Sequence, residues 1–515
     1  MPAILTRGLP FANRLCAVIA TPSARQALAQ LRQALHYTTT VELRLDWLKS
    51  DRERSSLLRS LKQRRLRDAT LLATCRRTLG GGRLHGGAEA ELYWLTQARE
   101  AGCQWCDLEV ETLRELPERS ARAFPIPEKI LLSAHDFKRT PPMPKRLAHA
   151  KRGEADAFKI AVQARTLTDS LRVLQLARES RDVVAVPMGE VGLPARLLAL
   201  REGSALAYAP LAATTAPGQV SLHDFKKLFR ADAATRKTVI YGVIGNPIAH
   251  SLSPLLHNTG YVAAQRDAML LPFLVENLSE FVRTIPEFGL RGISVTIPHK
   301  QSFLKYLDDC QPMAARIGAV NTVVVARNGK LRGSNTDYLG VLRALEGKLK
   351  LCGARALIFG AGGSARAAAF ALVNAGAEVL ISARREAAAR ELARACGAQV
   401  IARRHVESAC FELIVNTTPV GMHPHEGVSP LSVKELNTAW VMDLIYRPLQ
   451  TELLRIAKKK GIGVISGLEM FLAQGFAQWE LFMAQPAPEL AMRRAVLKKL
   501  RSEESFGSHA KKRQR

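Results

Sequence analysis

Lys159 stands in the middle of "DAFKIAV", an apolar stretch that reads as a strand buried on both faces. Lysine is rarely buried without a partner. Either this is an edge strand with its lysine in water, or the amine does chemistry. A desolvated lysine is more easily held neutral, and a neutral amine can attack a ketone to form a Schiff base. The iminium acidifies the neighbouring C–H. An imidazole within reach, such as His135 at the end of "LLSAH", can take that proton and later protonate a leaving hydroxyl. Arg44, Arg76 and Arg196 add groups that bind a carboxylate bidentately.

A second set lies further along. Ser251 and Ser253 follow a turn in "NPIAHSLSP", Thr296 and Lys300 close "GISVTIPHK", Asn321 sits in "GAVNTVV" and Asp337 in "GSNTDYLG". A surface ion pair is one reading of Lys300 and Asp337. Taken with the hydroxyls and the amide, they suit a polyol substrate and the transfer of one proton. "ALIFGAGGSARAAAF" is a strand, a glycine turn and a helix, with Gly360, Gly362 and Ala365 matching G-x-G-x-x-A. That arrangement places a pyrophosphate at a helix N-terminus. The next strand ends in Arg384 and Arg385 rather than in the acidic residue that holds a ribose 2′-hydroxyl. This favours a 2′-phosphate, hence NADP over NAD, with Glu386 a mild contrary sign.

The elements that must position these groups follow an α/β pattern. Strands are expected from Leu15, Thr40, Thr70, Gln104, Ile130, Asp156, Val183 and Ala205, with amphipathic segments between them. Eight such units predict an N-terminal (β/α)₈ barrel with its chemistry at the strand C-terminal ends. The polar residues there are Glu42, Arg44, Asp46, Arg76, Asp107, Glu109, His135, Lys159, Arg196, Thr215 and Gln219. A charged helical stretch over Leu222–Lys237 leads to a fresh start at "TVIYGVIG". The expected division is a barrel over 14–225, a substrate domain over 238–345, and a Rossmann domain over 346–502 whose final helices return to the substrate domain. A basic disordered tail over 503–515 completes it.

The 515 residues are too many for one core. No apolar run reaches membrane-span length, and the start "MPAILTRGLPFANR" lacks a secretory h-region, so a cytoplasmic location is expected. The net charge of +28 raises the question of nucleic acid. Lys and Arg are spread along the chain, however, and no nucleic-acid motif accompanies them; a surface that draws in anionic small molecules is the better reading. Cys103 and Cys106 form one C-x-x-C with no second pair, so reduced thiols and no metal are expected. Monomer and dimer both stay open.

The motifs "ELRLD", "SAHDF", "FKIAV", "PMGEVG" and "APGQ" resemble type I 3-dehydroquinate dehydratase. The resemblance implies that Lys159 is the Schiff-base lysine and His135 the general acid/base. It implies that Glu42, Arg44, Arg76, Arg196, Thr215 and Gln219 hold the substrate. Thr215 stands where a serine is common. Gly80, in "TCRRTLGGG", stands where the family usually has a glutamate, and Glu109 or Glu89 could stand in for it. An alternative is that the barrel is weak or accessory and only the second half is efficient.

The later motifs "SLSP", "VTIPHK", "NTDYLG", "GAGGSARA", "NTTPVGM", "DLIYRPLQTELL" and "GLEMFLAQ" resemble shikimate dehydrogenase. That resemblance implies Lys300 and Asp337 as the catalytic pair, with Ser251, Ser253, Thr296, Asn321, Tyr446 and Gln474 on shikimate. For NADP it implies Gly360, Ala361, Gly362, Gly363, Ser364, Ala365, Arg384, Arg385, Asn416, Thr417, Thr418 and Gly467. Ser294 replaces an asparagine found in many relatives, and quinate is an alternative substrate. Together the halves imply consecutive steps of aromatic amino acid (chorismate) biosynthesis, from 3-dehydroquinate through 3-dehydroshikimate to shikimate.

Overall fold

The computed structural model describes residues 11–64, 66, 68–115, 124–142, 155–211, 218–422 and 426–513. Two compact units divide the chain: the first takes Met1–Thr238 and Ser279–Phe288, the second Val239–Leu278 and Gly289–Arg515.

The first unit is built on eight parallel strands: β1 (Leu15–Ile19), β2 (Thr40–Arg44), β3 (Thr70–Thr74), β4 (Trp105–Glu109), β5 (Lys129–Asp136), β6 (Ala157–Gln163), β7 (Val183–Met188) and β8 (Ala207–Pro210). They neighbour one another in the order β7-β6-β5-β4-β3-β2-β1-β8. This is a barrel ladder with one seam, and the Ala205 N–H donates to the Val183 carbonyl there at 2.7 Å. Strand side chains alternate with a period of two. Glu42 and Arg44, Ser133 and His135, and Lys159 and Ala161 therefore share faces. Of these all but Ser133 line one cavity at the strand C-terminal ends. The stretch expected to be helical over Leu222–Lys237 is cut to a short turn, Asp224–Leu228. Arg230 adopts a left-handed φ of 51°, which a helix cannot accommodate.

The second unit holds two six-stranded sheets. The first runs β10-β9-β11-β13-β14-β12, from β9 (Val239–Gly245), β10 (Ala268–Leu274), β11 (Leu290–Val295), β12 (Asp309–Cys310), β13 (Thr322–Val325) and β14 (Leu331–Ser334). The second is fully parallel and runs β17-β16-β15-β18-β19-β20. Its strands are β15 (Arg355–Phe359), β16 (Glu378–Ser382), β17 (Gln399–Val400), β18 (Phe411–Asn416), β19 (Thr438–Asp443) and β20 (Gly463–Ser466). That order, 3-2-1-4-5-6, is the doubly wound dinucleotide-binding topology.

Helix Gly467–Met483 packs along helix Thr336–Leu345, with Gly340 allowing close approach to Met470 and Gln474. The last helix, Glu489–Arg513, packs on Ser253–Ala263. It carries helical backbone through 503–513, where a disordered tail is expected from sequence; Ala, Glu, Lys and Arg are good helix formers and no proline interrupts them.

Gly260, inside helix Ser253–Ala263, is set by packing rather than by backbone conformation. A Cβ there would lie 2.7 Å from Trp479 and 3.1 Å from the Met492 sulfur. In an exposed helix Gly→Ala adds about 1 kcal/mol of stability. Here overpacking at a cost of about 1–3 kcal/mol wins. Gly260→Ala is therefore expected to lower the melting temperature of the full chain, measured by calorimetry.

Candidate functional sites

The barrel cavity is lined by Glu42, Arg44, Arg76, His135, Lys159, Arg196 and Gln219, so the structure brings together every substrate-holding or catalytic residue expected in the barrel except Thr215. Thr215 lies outside the described residues. Lys159 is 7% exposed, on a strand with both faces covered, which removes the edge-strand reading. Its ammonium is nevertheless partnered. Nζ donates to Asp107 Oδ2 at 2.9 Å, lies 3.8 Å from Glu42 Oε1 and sits 4.3 Å above the Tyr208 ring. The ion pair with Asp107 compensates its desolvation.

Asp107 is the hub. It also accepts from Arg76 Nη2 at 2.9 Å and from the Ser133 hydroxyl at 2.5 Å. Burial would raise its carboxyl, but Arg76 and Lys159 hold it well below the usual carboxylate range. His135 stands two residues beyond Lys159's register partner Ser133 on the neighbouring strand and touches Arg76 Nη1. Burial, reinforced by the charges of Arg76 and Lys159, drives its imidazole well below the ordinary range, so it is a neutral proton acceptor. Phe137 stacks on it at 5.8 Å.

Two arginines are held for an anion. Arg44 is fixed by Asp46 through contacts of 2.9 and 2.8 Å. Arg196 is held by the carbonyls of Gly189 and Gly218, and burial pushes it down to about 10. Glu42 accepts from Thr74 at 2.7 Å. Of the two carboxylates offered for the Gly80 position, Glu89 is exposed in the first turn of helix Ala88–Glu100, whereas Glu109 is buried against Gly80.

In the second unit Lys300 follows β11 and Asp337 lies in the first turn of helix Thr336–Leu345. Lys300 Nζ donates to Asp337 Oδ2 at 2.5 Å and to Ser364 at 3.4 Å. Asn321 orients the carboxylate. Its amide donates to Asp337 Oδ1 at 2.9 Å and to Gln474 at 3.3 Å, while its oxygen accepts the Thr336 N–H at 2.7 Å. Behind it, Gln478 donates to the Asn321 carbonyl at 3.0 Å and meets buried His257 at 3.2 Å. Tyr446 stacks on Phe471, one turn from Gln474, and its hydroxyl meets the Leu252 backbone between Ser251 and Ser253. Ser294 is buried in β11, and Thr296, just beyond that strand, packs beside Gly245.

The glycine turn fits a dinucleotide. Gly360 has φ +125° and a Cβ there would lie 2.3 Å from the Thr417 hydroxyl, while the Cβ position of Gly362 meets nothing within 4 Å. Ala361, Gly362 and then Gly363, Ser364 and Ala365 lead into helix Gly363–Asn374, whose first N–H groups have no partner within the helix. Asn416 folds the Thr417–Thr418 turn, accepting from Thr418 N and Oγ1 at 3.0 and 2.7 Å, and is itself held by Asp443 at 2.9 Å. Arg384 and Arg385 are exposed and make no ion pair among the described residues; Glu386 turns to Arg390 at 2.6 Å instead. Gly467 starts its helix against the Leu444–Ile445 backbone, a packing role.

Sequence reasoning left Asp107 without a role, although its position at a strand end two residues before Glu109 was a signal. Asp443, Gln478 and His257 gave none.

Family models for Type I 3-dehydroquinase, the shikimate dehydrogenase substrate binding domain and the shikimate 5′-dehydrogenase C-terminal domain match residues 15–236, 243–323 and 467–497. The chain is 32% identical over 474 residues to the chloroplastic bifunctional 3-dehydroquinate dehydratase/shikimate dehydrogenase of Arabidopsis thaliana, covering 87% of this chain and 78% of that one. It is 40% identical over 273 residues to a shikimate dehydrogenase (NADP(+)) of Bacillus cereus, covering 51% of this chain and 98% of that one. A crystal structure of shikimate 5-dehydrogenase from Thermus thermophilus is 36% identical over 50% of this chain and 99% of that one, with a TM-score of 0.47.

His257 generates a pH prediction. Burial pushes its imidazole down to about 4, against the pull of Gln478. The unfolded chain, with an imidazole near 6.5, binds more protons between those values, so stability is lost as pH falls from about 6.5 to 4, by about 3 kcal/mol. The urea midpoints of wild type and His257→Asn are expected to differ at pH 7 and to converge towards pH 4.

Proposed function

The chain belongs to the bifunctional 3-dehydroquinate dehydratase/shikimate dehydrogenase family, and from that premise we propose how its own residues carry the two reactions. The barrel dehydrates 3-dehydroquinate to 3-dehydroshikimate, and the second unit reduces 3-dehydroshikimate to shikimate with NADPH. The observation that carries the reading is a buried lysine sharing one cavity with a neutral histidine and three arginines.

Lys159 loses a proton and attacks the substrate ketone. The carbinolamine oxygen takes up the proton that the amine gave up and leaves as water, so a protonated imine forms. The iminium nitrogen keeps a positive charge beside Asp107, so the carboxylate that pairs the resting ammonium also pairs the cationic intermediate. This is electrostatic preorganisation. His135 takes the proton from the carbon next to the iminium and gives it to the departing hydroxyl, so it ends the step as it began. Arg196, Arg44, Gln219, Thr215, Glu42 and Arg76 hold the substrate's carboxylate and hydroxyls. Hydrolysis of the imine then returns Lys159.

In the second unit the nicotinamide, when bound, supplies hydride to the ketone carbon. Lys300 and Asp337 supply the proton to its oxygen, with Asn321 keeping the Asp337 carboxylate turned to Lys300. Ser251, Ser253, Thr296, Tyr446 and Gln474 hold the ring hydroxyls and carboxylate. Gly360, Ala361, Gly362, Gly363, Ser364 and Ala365 would cradle the pyrophosphate, Asn416, Thr417, Thr418 and Gly467 would line the cleft, and Arg384 and Arg385 would take the 2′-phosphate. We assign the barrel to 14–225, the substrate domain to 238–345 and the cofactor domain to 346–502. Eight unpaired cysteines fit a reducing compartment, which we take to be the cytoplasm.

Lys159→Ala is expected to abolish dehydration and the adduct trapped by borohydride with 3-dehydroquinate, seen by mass spectrometry, while leaving NADPH-dependent reduction intact. Lys300→Ala should do the converse, lowering reduction by roughly 10²–10⁴-fold. Arg384→Ala with Arg385→Ala should raise the KM for NADPH by roughly 10- to 100-fold and that for NADH far less, since charge-assisted hydrogen bonds contribute about 1.5–3 kcal/mol each.

A further inference from the structure

Glu109, at the end of β4, is 2% exposed, and neither carboxylate oxygen has a hydrogen-bond partner among the described residues. Its nearest cations are Arg76 Nε and Arg77 Nε, both at 3.7 Å. A buried carboxylate without close partners is costly, so its place calls for a reason.

The space it fills is that of a neighbour's missing side chain. A Cβ on Gly80 would lie 1.6 Å from Glu109 Oε1 and 2.5 Å from its carboxyl carbon. Gly80 does not have the positive φ seen at Gly81, so its backbone does not demand glycine. The carboxylate's volume does.

We propose that Glu109 is a positioning residue of the dehydratase site: lodged where a side chain at position 80 would be, its carboxylate steadies the Nε edge of Arg76 and so aims the Nη1 corner at His135. This rests on the dehydratase reading of the barrel.

The guanidinium is a rigid plane. Asp107 holds Nη2 at 2.9 Å, but Asp107 also serves Lys159 and Ser133 and gives Arg76 one pivot only. Glu109, facing Nε, is the second point that fixes the plane, and Nη1 is the corner left for the imidazole. Glu109 is itself backed by Arg77, which Glu91 approaches at 3.3 Å and Glu115 binds at 2.8 Å. Charges thus alternate from the surface to His135. Removing Glu109 lets Arg76 turn about Asp107, and the imidazole loses its fixed neighbour while Lys159 keeps its partner.

The test uses the full chain, with NADPH-dependent reduction as an internal control of folding. Glu109→Ala and the isosteric Glu109→Gln are expected to lower dehydratase kcat by roughly 10- to 100-fold, the scale of a misplaced catalytic group. The loss should fall mainly on kcat, with a smaller rise in KM because Arg76 also holds substrate, and the borohydride-trapped adduct on Lys159 should still form. Gly80→Asp, which returns a carboxylate to the same volume from the turn after the neighbouring strand β3, is expected to recover at least about ten-fold in kcat when added to Glu109→Ala. Gly80→Ala alone, with Glu109 in place, is expected to lower kcat. Wild-type kcat in both Glu109 variants would overturn the proposal, as would a Gly80→Asp/Glu109→Ala double variant no better than Glu109→Ala, or loss of the Lys159 adduct together with kcat. Absence of any adduct in the wild-type chain would instead sink the dehydratase reading on which the proposal stands.

Discussion

The buried charges of the barrel are organised around one ion pair, Lys159 with Asp107. An ammonium that is 7% exposed cannot be left alone in a lumen of strands. Asp107 supplies the counter-charge, and because it is fully buried it must itself be neutralised. Arg76 and Ser133 complete that neutralisation, and Arg76 in turn touches His135. The result is one connected set of charges in which each member justifies the burial of the next. It leaves Lys159 paired with Asp107 and drives the His135 imidazole well below its ordinary range.

The second unit solves a similar problem with less charge. Lys300 and Asp337 pair at 2.5 Å, but their surroundings are amides and hydroxyls rather than further ions. Asn321 uses both ends of its amide, donating to Asp337 and accepting from the Thr336 backbone, so the carboxylate is fixed without altering the net charge of the site. Gln474 and Gln478 extend this neutral scaffold into helix Gly467–Met483. Amides and hydroxyls suit the hydrogen-bonding of a polyol, whereas a buried lysine needs a counter-charge.

Glycines act in these sites through the room they leave. Gly360 brings the strand-to-helix turn against Thr417, Gly362 leaves open the face where a phosphate group would approach, and Gly80 admits the Glu109 carboxylate. At Gly360 and Gly80 the absent Cβ matters because of what stands beside it, and that neighbour comes from a distant part of the chain.

Much was legible in the sequence. Eight short strands in order predicted the barrel, and the strand–glycine turn–helix unit predicted the doubly wound sheet, because periodicity and turn chemistry are local properties. Lys159, His135, Lys300 and Asp337 stood out because their types are out of place in apolar or turn segments. What the sequence could not supply was partnership. That Asp107 pairs Lys159 across 52 positions, or that Asn321 steers Asp337 while Gln478 backs it from 157 positions away, follows from barrel closure and helix packing. Nor could the sequence choose between Glu89 and Glu109 at Gly80; only the fold puts one in water and buries the other against Gly80. Residue types and local periods determined which chemistry was available. Tertiary structure decided which charges face one another, because Coulombic and hydrogen-bonding terms depend on distance in space and on burial, not on separation along the chain.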